Sequence, residues 1–104
     1  MMRVKLEGIY KPATEILARR IDQELILVSL AGGVGNPDDE IFSLNHSGEE
    51  IWKSLDGEKT LTTVVKDLAE AFVAKPEVIQ ADVLNLVNEM LERRLLVEVS
   101  DTSI

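Results

Sequence analysis

The chain has 104 residues, a length typical of one domain, and 45% of its residues are hydrophobic. Nineteen acidic residues against eleven basic ones give a net charge of −8, which disfavours binding to nucleic-acid phosphates and anionic lipid heads. The absence of cysteine excludes disulfides, thiol catalysis and cysteine-ligated metal sites. Because no apolar run approaches the ~20 residues of a membrane helix and charges interrupt the N-terminus, we expect a cytoplasmic protein without a membrane partner.

The first half of the chain predicts three strands. Residues 16–21 and 24–30 flank a polar break and are typical of a β-hairpin. The second of these segments is apolar on both faces, which favours a central position in its sheet. Residues 31–39 contain three glycines and a proline and predict a loop, after which residues 40–44 form the third strand.

The second half predicts three helices. Ser47 and Glu50 have the spacing of a capping box for a helix over 48–55, with Asn45 as a competing cap. Thr60 caps a second helix over 61–73, and Pro76 suits the first turn of a third helix over 76–93. Residues 95–99 predict a terminal strand. Strands followed by helices indicate an α+β domain over 16–99, with an N-terminal arm at 1–15 and a frayed tail at 100–104.

The first predicted helix carries Trp52, the only tryptophan of the chain. We expect its side chain to be largely buried on the inner face of that helix, together with Ile51 and Leu55. On that expectation, truncation of Trp52 to alanine costs about 3–5 kcal/mol of stability.

The third predicted helix has a wide apolar surface, spanning about 160° at the ~100° per residue of an α-helix. One line of apolar residues is Ile79, Val83, Leu86 and Met90, and a second line is Leu84, Val87 and Leu91. Both lines belong to the core if the helix is packed on two sides. Alternatively, the second line borders a groove, which beside an exposed strand edge would suit an extended peptide.

No group of residues has the pattern of a catalytic or cofactor site. His46 is the only histidine and lacks an orienting partner or further metal ligands at a defined spacing. The glycines of the 31–35 segment are not followed by the Lys-Ser or Lys-Thr of a phosphate loop, and the acidic residues at 38–40 lack the spacing of a calcium loop. We therefore expect no cofactor and no enzymatic activity.

The segment from Leu44 to Trp52 carries a more specific signal. Its sequence, Leu-Asn-His-Ser-Gly-Glu-Glu-Ile-Trp, resembles the LN-x-(S/T)-G-x-x-I-W signature of PqqD-like proteins. The resemblance extends over residues 16–98, through Asp56-Gly57, Thr60 and the run at 91–97, although the loop at 31–39 is longer than in compact members. It implies a winged-helix-like fold with a three-stranded antiparallel sheet followed by three helices.

The resemblance also implies a function. PqqD-like domains are peptide chaperones, or recognition elements, for ribosomally made and post-translationally modified peptides (RiPPs), pyrroloquinoline quinone biosynthesis being the namesake. They bind the leader of a precursor peptide and present it to a modifying enzyme, often a radical S-adenosylmethionine (SAM) protein. In the family the leader adds as a strand to the third strand, against the third helix.

Together with the apolar arc, this implication gives a predicted peptide site on the third strand and the third helix. The predicted site comprises Glu40, Ile41, Phe42, Ser43, Leu44, Leu84, Val87 and Leu91. The expected partners are a leader peptide and a radical SAM or other modifying enzyme, and we expect a monomer or a weak homodimer. The alternatives are a DNA-binding winged helix, which the acidic polar face of the third helix disfavours, and a purely structural interaction domain.

Overall fold

The computed structural model describes residues 4–29 and 41–99, so the predicted 31–39 loop, Glu40 and the 100–104 tail lie outside the described residues. The described residues form an α+β domain with three helices, as predicted. Its elements in chain order are β1 (Tyr10–Pro12), β2 (Ile16–Ile21), β3 (Glu24–Ser29), β4 (Ile41–Leu44), α1 (His46–Ser54), α2 (Leu61–Phe72), α3 (Pro76–Glu92) and β5 (Leu96–Glu98). The predicted strands and helices are therefore present, with ends that differ by one or two residues.

The predicted three-stranded sheet is antiparallel with the order β2-β3-β4. Asp22 and Gln23 join β2 to β3, and Asp22 adopts a left-handed conformation (φ 57°), which aspartate tolerates better than most residues. The apolar strand β3 is central, as its two-sided pattern predicted, and its Leu27 has no exposed surface. Strand β4 lies at an edge of this sheet.

The structure also contains a two-stranded sheet, of which only the terminal strand was predicted. The terminal strand β5 pairs antiparallel with β1, a strand of three residues in the segment for which the sequence suggested no structure. Tyr10 of β1 is 1% exposed, and its hydroxyl accepts a hydrogen bond from the backbone amide of Lys5 at 3.2 Å. The described part of the arm, residues 4–15, is thus packed against the domain and contributes to its core.

The helix ends explain why α1 begins two residues earlier than predicted. The Asn45 side chain accepts a hydrogen bond from the Gly48 amide at 2.9 Å and forms the N-cap, so Ser47 lies inside the helix and is exposed. Thr60 caps α2 as predicted, by accepting from the Thr63 amide at 3.3 Å. Gly57 between these helices has a φ of 83°, a conformation that glycine adopts without a steric penalty.

The core forms where β3 and β4 meet the helices. Ile51 and Leu55 of the α1 segment are buried, as are five apolar residues of α2, but Trp52 is only partly buried and packs at the margin of the core. Trp52 is therefore less deeply buried than Ile51 and Leu55, and the expectation that it is largely buried is met only in part. Ile51 and Leu55 lie four residues apart and share one face of the helix, whereas Trp52 is turned by ~100° from Ile51. The loss of unfolding free energy that we expect for Trp52→Ala is therefore smaller than the value given for a fully buried side chain.

One charged side chain is buried between the sheet and α1. Glu49 is 3% exposed, and its carboxylate accepts a hydrogen bond from the Arg20 guanidinium of β2, while the Lys53 ammonium lies 3.4 Å away. The hydrogen bond from Arg20 holds the pKa of the Glu49 carboxyl below its ordinary value, against the opposing effect of burial. This ion pair connects β2 to α1 and shows that Arg20 points to the inner face of the sheet.

None of the helices formed by the described residues is long and apolar enough to cross a membrane.

Candidate functional site

The free edge of β4 is the first component of the candidate site. In the order β2-β3-β4, one side of β4 pairs with β3, and no described strand pairs with the other side. In an antiparallel strand every second residue directs its N–H and C=O groups away from the paired neighbour. Strand β4 therefore offers main-chain donors and acceptors to an added strand.

The side chains of β4 alternate between the two faces of the sheet. Phe42 lies opposite the fully buried Leu27 and packs against the core, and Leu44 is 2% exposed. Ile41 and Ser43 point to the outer face and are exposed. Of the predicted strand residues, Leu44 can therefore offer only its backbone, whereas Ile41, Phe42 and Ser43 also have accessible side-chain surface. The remaining one, Glu40, lies outside the described residues.

The C-terminal end of α3 lies beside this edge. The guanidinium carbon of Arg93, the C-cap of α3, lies 5.2 Å from the centroid of the Phe42 ring, within the range of a cation–π contact. Arg93 also forms an ion pair with Glu89, one turn earlier, at 3.6 Å. The inner side of the β4 edge is thus bordered by an aromatic ring, a cation and a carboxylate.

The residues of the apolar arc of α3 are divided between core and surface differently from the prediction. Val83, Val87 and Met90 form the centre of the arc and have no exposed surface, while Leu84 and Leu91 lie on one flank and are partly buried. Val87 is therefore a core residue whose side chain has no surface to offer a peptide. Its angular position on the helix explains this, because it lies between Val83 and Leu91 and not at the margin of the arc. Leu84 and Leu91 remain candidates for the wall of a groove.

Two side chains at the edge were missed by the sequence analysis. The sequence analysis assigned no role in the site to Arg93, and it placed Glu24 at the start of a predicted strand without a role in the site. In the structure the Ser43 hydroxyl donates a hydrogen bond to the Glu24 carboxylate at 2.5 Å, on the outer face of the sheet. The antiparallel pairing of β3 and β4 creates this contact, and no pattern within either segment indicates it.

A different groove lies between α2 and α3, and it is the main competitor for a binding role. It has a volume of about 410 Å³ and is lined by Thr62, Val65, Lys66, Ala69, Glu70, Ala74, Pro76 and Gln80. No described strand edge borders it, so it lacks the main-chain groups that an extended peptide needs. In the described ranges, 4–29 and 41–99, no three His, Asp or Glu side chains lie close enough together to hold a metal ion.

The antiparallel sheet with an exposed edge strand, followed by three helices, defines a winged-helix-like domain. Residues 24–96 match the model of the family PqqD, Coenzyme PQQ synthesis protein D. The match covers more than half of the chain, and the chain therefore belongs to the PqqD family. The resemblance found in the Leu44–Trp52 segment is confirmed.

Two solved structures share the fold. The PqqD truncation of Methylobacterium extorquens PqqCD, a stand-alone RiPP recognition element, is 17% identical with a TM-score of 0.74, over 92% of this chain and 96% of that chain. TbiB1, solved in complex with the TbiA(beta) leader peptide, is 21% identical with a TM-score of 0.66, over 83% of this chain and 93% of that chain. A comparison with curated proteins gives no match.

Proposed function

We propose that this domain is a peptide chaperone that binds the leader of a ribosomally made precursor peptide and presents it to a modifying enzyme. The observation that carries the proposal is the free edge of β4, bordered by Phe42 and the last turn of α3. Membership of the PqqD family supports it, as does the fold shared with a RiPP recognition element and with a protein solved in a leader complex. The domain acts by binding, and the covalent chemistry belongs to its partner, a radical SAM or other modifying enzyme in the cytoplasm.

The leader would bind as an added strand. Main-chain hydrogen bonds to β4 contribute affinity for any extended peptide, and side-chain contacts select among peptides. Alternate residues of the added strand would face the inner side of the sheet and meet Phe42 there, and we propose that Leu84 and Leu91, which are packed against the core, supply further apolar surface. Because the chain carries a net charge of −8, basic residues that flank the apolar anchors would increase the rate of association.

The proposed complex is compatible with the size of the site. Four residues of β4 present only a few hydrogen bonds, so part of the affinity must come from apolar contacts with the flank of α3. The few hydrogen bonds that the described part of β4 can offer suit a chaperone that must release its peptide to an enzyme. We therefore propose a monomer, or a weak homodimer, that binds one leader per chain.

The experiment tests every short open reading frame in the neighbourhood of the gene as a synthetic peptide against the purified protein. Calorimetry measures affinity, and amide chemical shifts locate the contact. We expect one peptide to bind. It should cause the largest amide chemical-shift changes of the protein at residues 41–44 and 84–93. If no encoded peptide binds, or the shifts cluster on the groove between α2 and α3, the proposal is wrong.

Substitutions on α3 provide a matched comparison. Leu84→Asp and Leu91→Asp place a charge beside the proposed peptide and should weaken binding at least tenfold with the fold retained. Val78→Asp is the control, because Val78 is exposed on the same helix about 20 Å from Leu91 at 1.5 Å per residue. Equal affinity of all three variants would exclude this flank of α3 from the site.

A further inference from the structure

The outer face of the three-stranded sheet is largely apolar, and none of the helices in the described part of the chain covers it. Leu17, Ile21 and Ile41 project from this face with 44%, 56% and 54% of their surface exposed. Ile26 and Val28 of the central strand lie between them and are partly buried. The helix α1 packs against the opposite face, where Arg20 reaches Glu49.

The strand register arranges the outer side chains in rows. Leu17, Val28 and Ile41 lie side by side across β2, β3 and β4, so one row of aliphatic side chains ends at the free edge. The next row consists of Arg19, Ile26 and Ser43. Any strand added to β4 must continue both rows, because directly opposed residues of neighbouring strands project to the same face.

The row that ends at Ser43 differs from the row that ends at Ile41, because a carboxylate lies beside Ser43. The Ser43 hydroxyl donates to the Glu24 carboxylate, which is thereby positioned on the outer face close to the edge strand. Glu24 forms no ion pair with Lys or Arg among the residues that the structure describes. A basic side chain opposite Ser43 would reach this carboxylate, whereas an acidic side chain there would be repelled.

We propose that the outer face of the β4 edge is a second specificity subsite, which reads an aliphatic residue and a basic residue two positions apart in the bound peptide. The aliphatic residue lies opposite Ile41 and extends the row of Leu17 and Val28. The basic residue, Lys or Arg, lies opposite Ser43 and pairs with Glu24. This inference rests on the proposed strand addition and adds to it the side chains on the face turned away from α3.

The subsite makes recognition two-sided. Inward residues of the peptide meet Phe42 and the flank of α3, and the outward residues between them meet Ile41 and Glu24. A peptide strand with apolar residues on its inner face alone is therefore an incomplete ligand. The required pattern in the peptide is an aliphatic residue and a Lys or Arg, separated by one residue that faces inward. Whether the aliphatic or the basic residue comes first in the peptide sequence depends on whether the added strand runs antiparallel or parallel to β4.

The experiment selects from a phage-displayed library of random 15-residue peptides on the full chain and on three variants. Ile41→Ser removes the aliphatic contact, and Glu24→Lys reverses the charge. The control Ile21→Ser changes the same type of residue, with a similar exposed fraction and on the same face, but on β2, about 14 Å from an added strand at ~4.8 Å per strand.

We expect the wild-type protein and Ile21→Ser to enrich the aliphatic and basic pair. Ile41→Ser should lose the aliphatic preference and bind the synthesised wild-type consensus about two- to fivefold more weakly, the effect of one cross-strand pair. Glu24→Lys should enrich Asp or Glu at the basic position. The subsite does not exist if Ile41→Ser enriches the same peptides as Ile21→Ser and Glu24→Lys still enriches Lys or Arg at the basic position. Strand addition at the β4 edge would then still hold, provided that the selected peptides bind there. If selected peptides do not bind at that edge at all, the proposed function fails together with the subsite.

Discussion

The signature residues of the Leu44–Trp52 segment build the junction between β4 and α1. Leu44 is buried, Asn45 caps the helix, and Ile51 packs in the core. Gly48 is buried against Leu44, and a Cβ atom at this position would lie 3.1 Å from the Leu44 Cδ2 atom. The residues that identified the family are therefore structural, and their role is to hold the edge strand beside the helices.

The Asn45 cap gives a direct test of this interpretation. Asn45→Ala removes the acceptor for the Gly48 amide and should lower the free energy of unfolding by about 1 kcal/mol. Ser47→Ala is the control, because Ser47 is exposed within α1 and should change stability by less than about 0.5 kcal/mol. Urea denaturation of the two variants measures the difference. A larger loss for Ser47→Ala would restore the capping box that the sequence suggested.

The ion pair between the exposed Arg20 and the buried Glu49 predicts a dependence of stability on pH. Because the pKa of Glu49 in the folded protein is lowered from 4.5, chiefly by the hydrogen bond from Arg20, folding is favoured by the ionised carboxylate. This contribution is fully present above the ordinary pKa and is lost as the pH falls through the lowered one. A double-mutant cycle with Arg20→Gln and Glu49→Gln should give a favourable coupling at neutral pH.

That coupling should decline progressively as the pH is lowered below the ordinary carboxyl pKa of 4.5. Thermal unfolding of the four proteins at each pH provides the measurement. A coupling energy that is constant over this range would mean that Arg20 does not lower the pKa of the Glu49 carboxyl in the folded protein.

The helices and strands that were predicted from the sequence are those whose ends are determined by interactions between near neighbours in the chain. The hairpin of β2 and β3, the Thr60 cap and the position of Pro76 were all evident because each signal lies within a few neighbouring residues. Strand β1 was not, since three residues carry no period and its partner β5 lies more than eighty positions away in the chain. The misplacement of Val87 has a similar cause, because a helical wheel gives the width of an apolar face but not which part of it is covered.

The packed arm leads to a prediction about stability. Tyr10→Ala should cost about 3–5 kcal/mol, because the ring is fully buried in the core and its removal leaves a cavity. Glu7→Ala, at an exposed position of the same arm, should be nearly neutral. Chemical denaturation of both variants checks the expectation. If Tyr10→Ala is as stable as the wild type, the arm is an appendage of the domain, as the sequence analysis assumed.

At the scale of the whole molecule, charge separates the possible uses of a winged-helix-like fold. A net charge of −8 repels the phosphate backbone, so we expect no salt-sensitive shift of duplex DNA in a gel at micromolar protein concentration. A shift that weakens with added salt would contradict this expectation. Composition alone was sufficient for this expectation, and the family resemblance indicated the third strand and third helix, whereas the free edge of β4 and its contact with Arg93 required the structure.

Addition of a peptide strand to β4 can be measured by amide hydrogen exchange of the protein with and without the bound peptide. Strand addition satisfies the outward N–H groups of β4, so exchange should slow markedly at every second residue of 41–44, while β1 and β5 of the other sheet should exchange at unchanged rates. Methylation of the peptide amides that pair with β4 should abolish both the protection and the binding. Protection confined to the groove between α2 and α3, with residues 41–44 exchanging as in the free protein, would contradict the account.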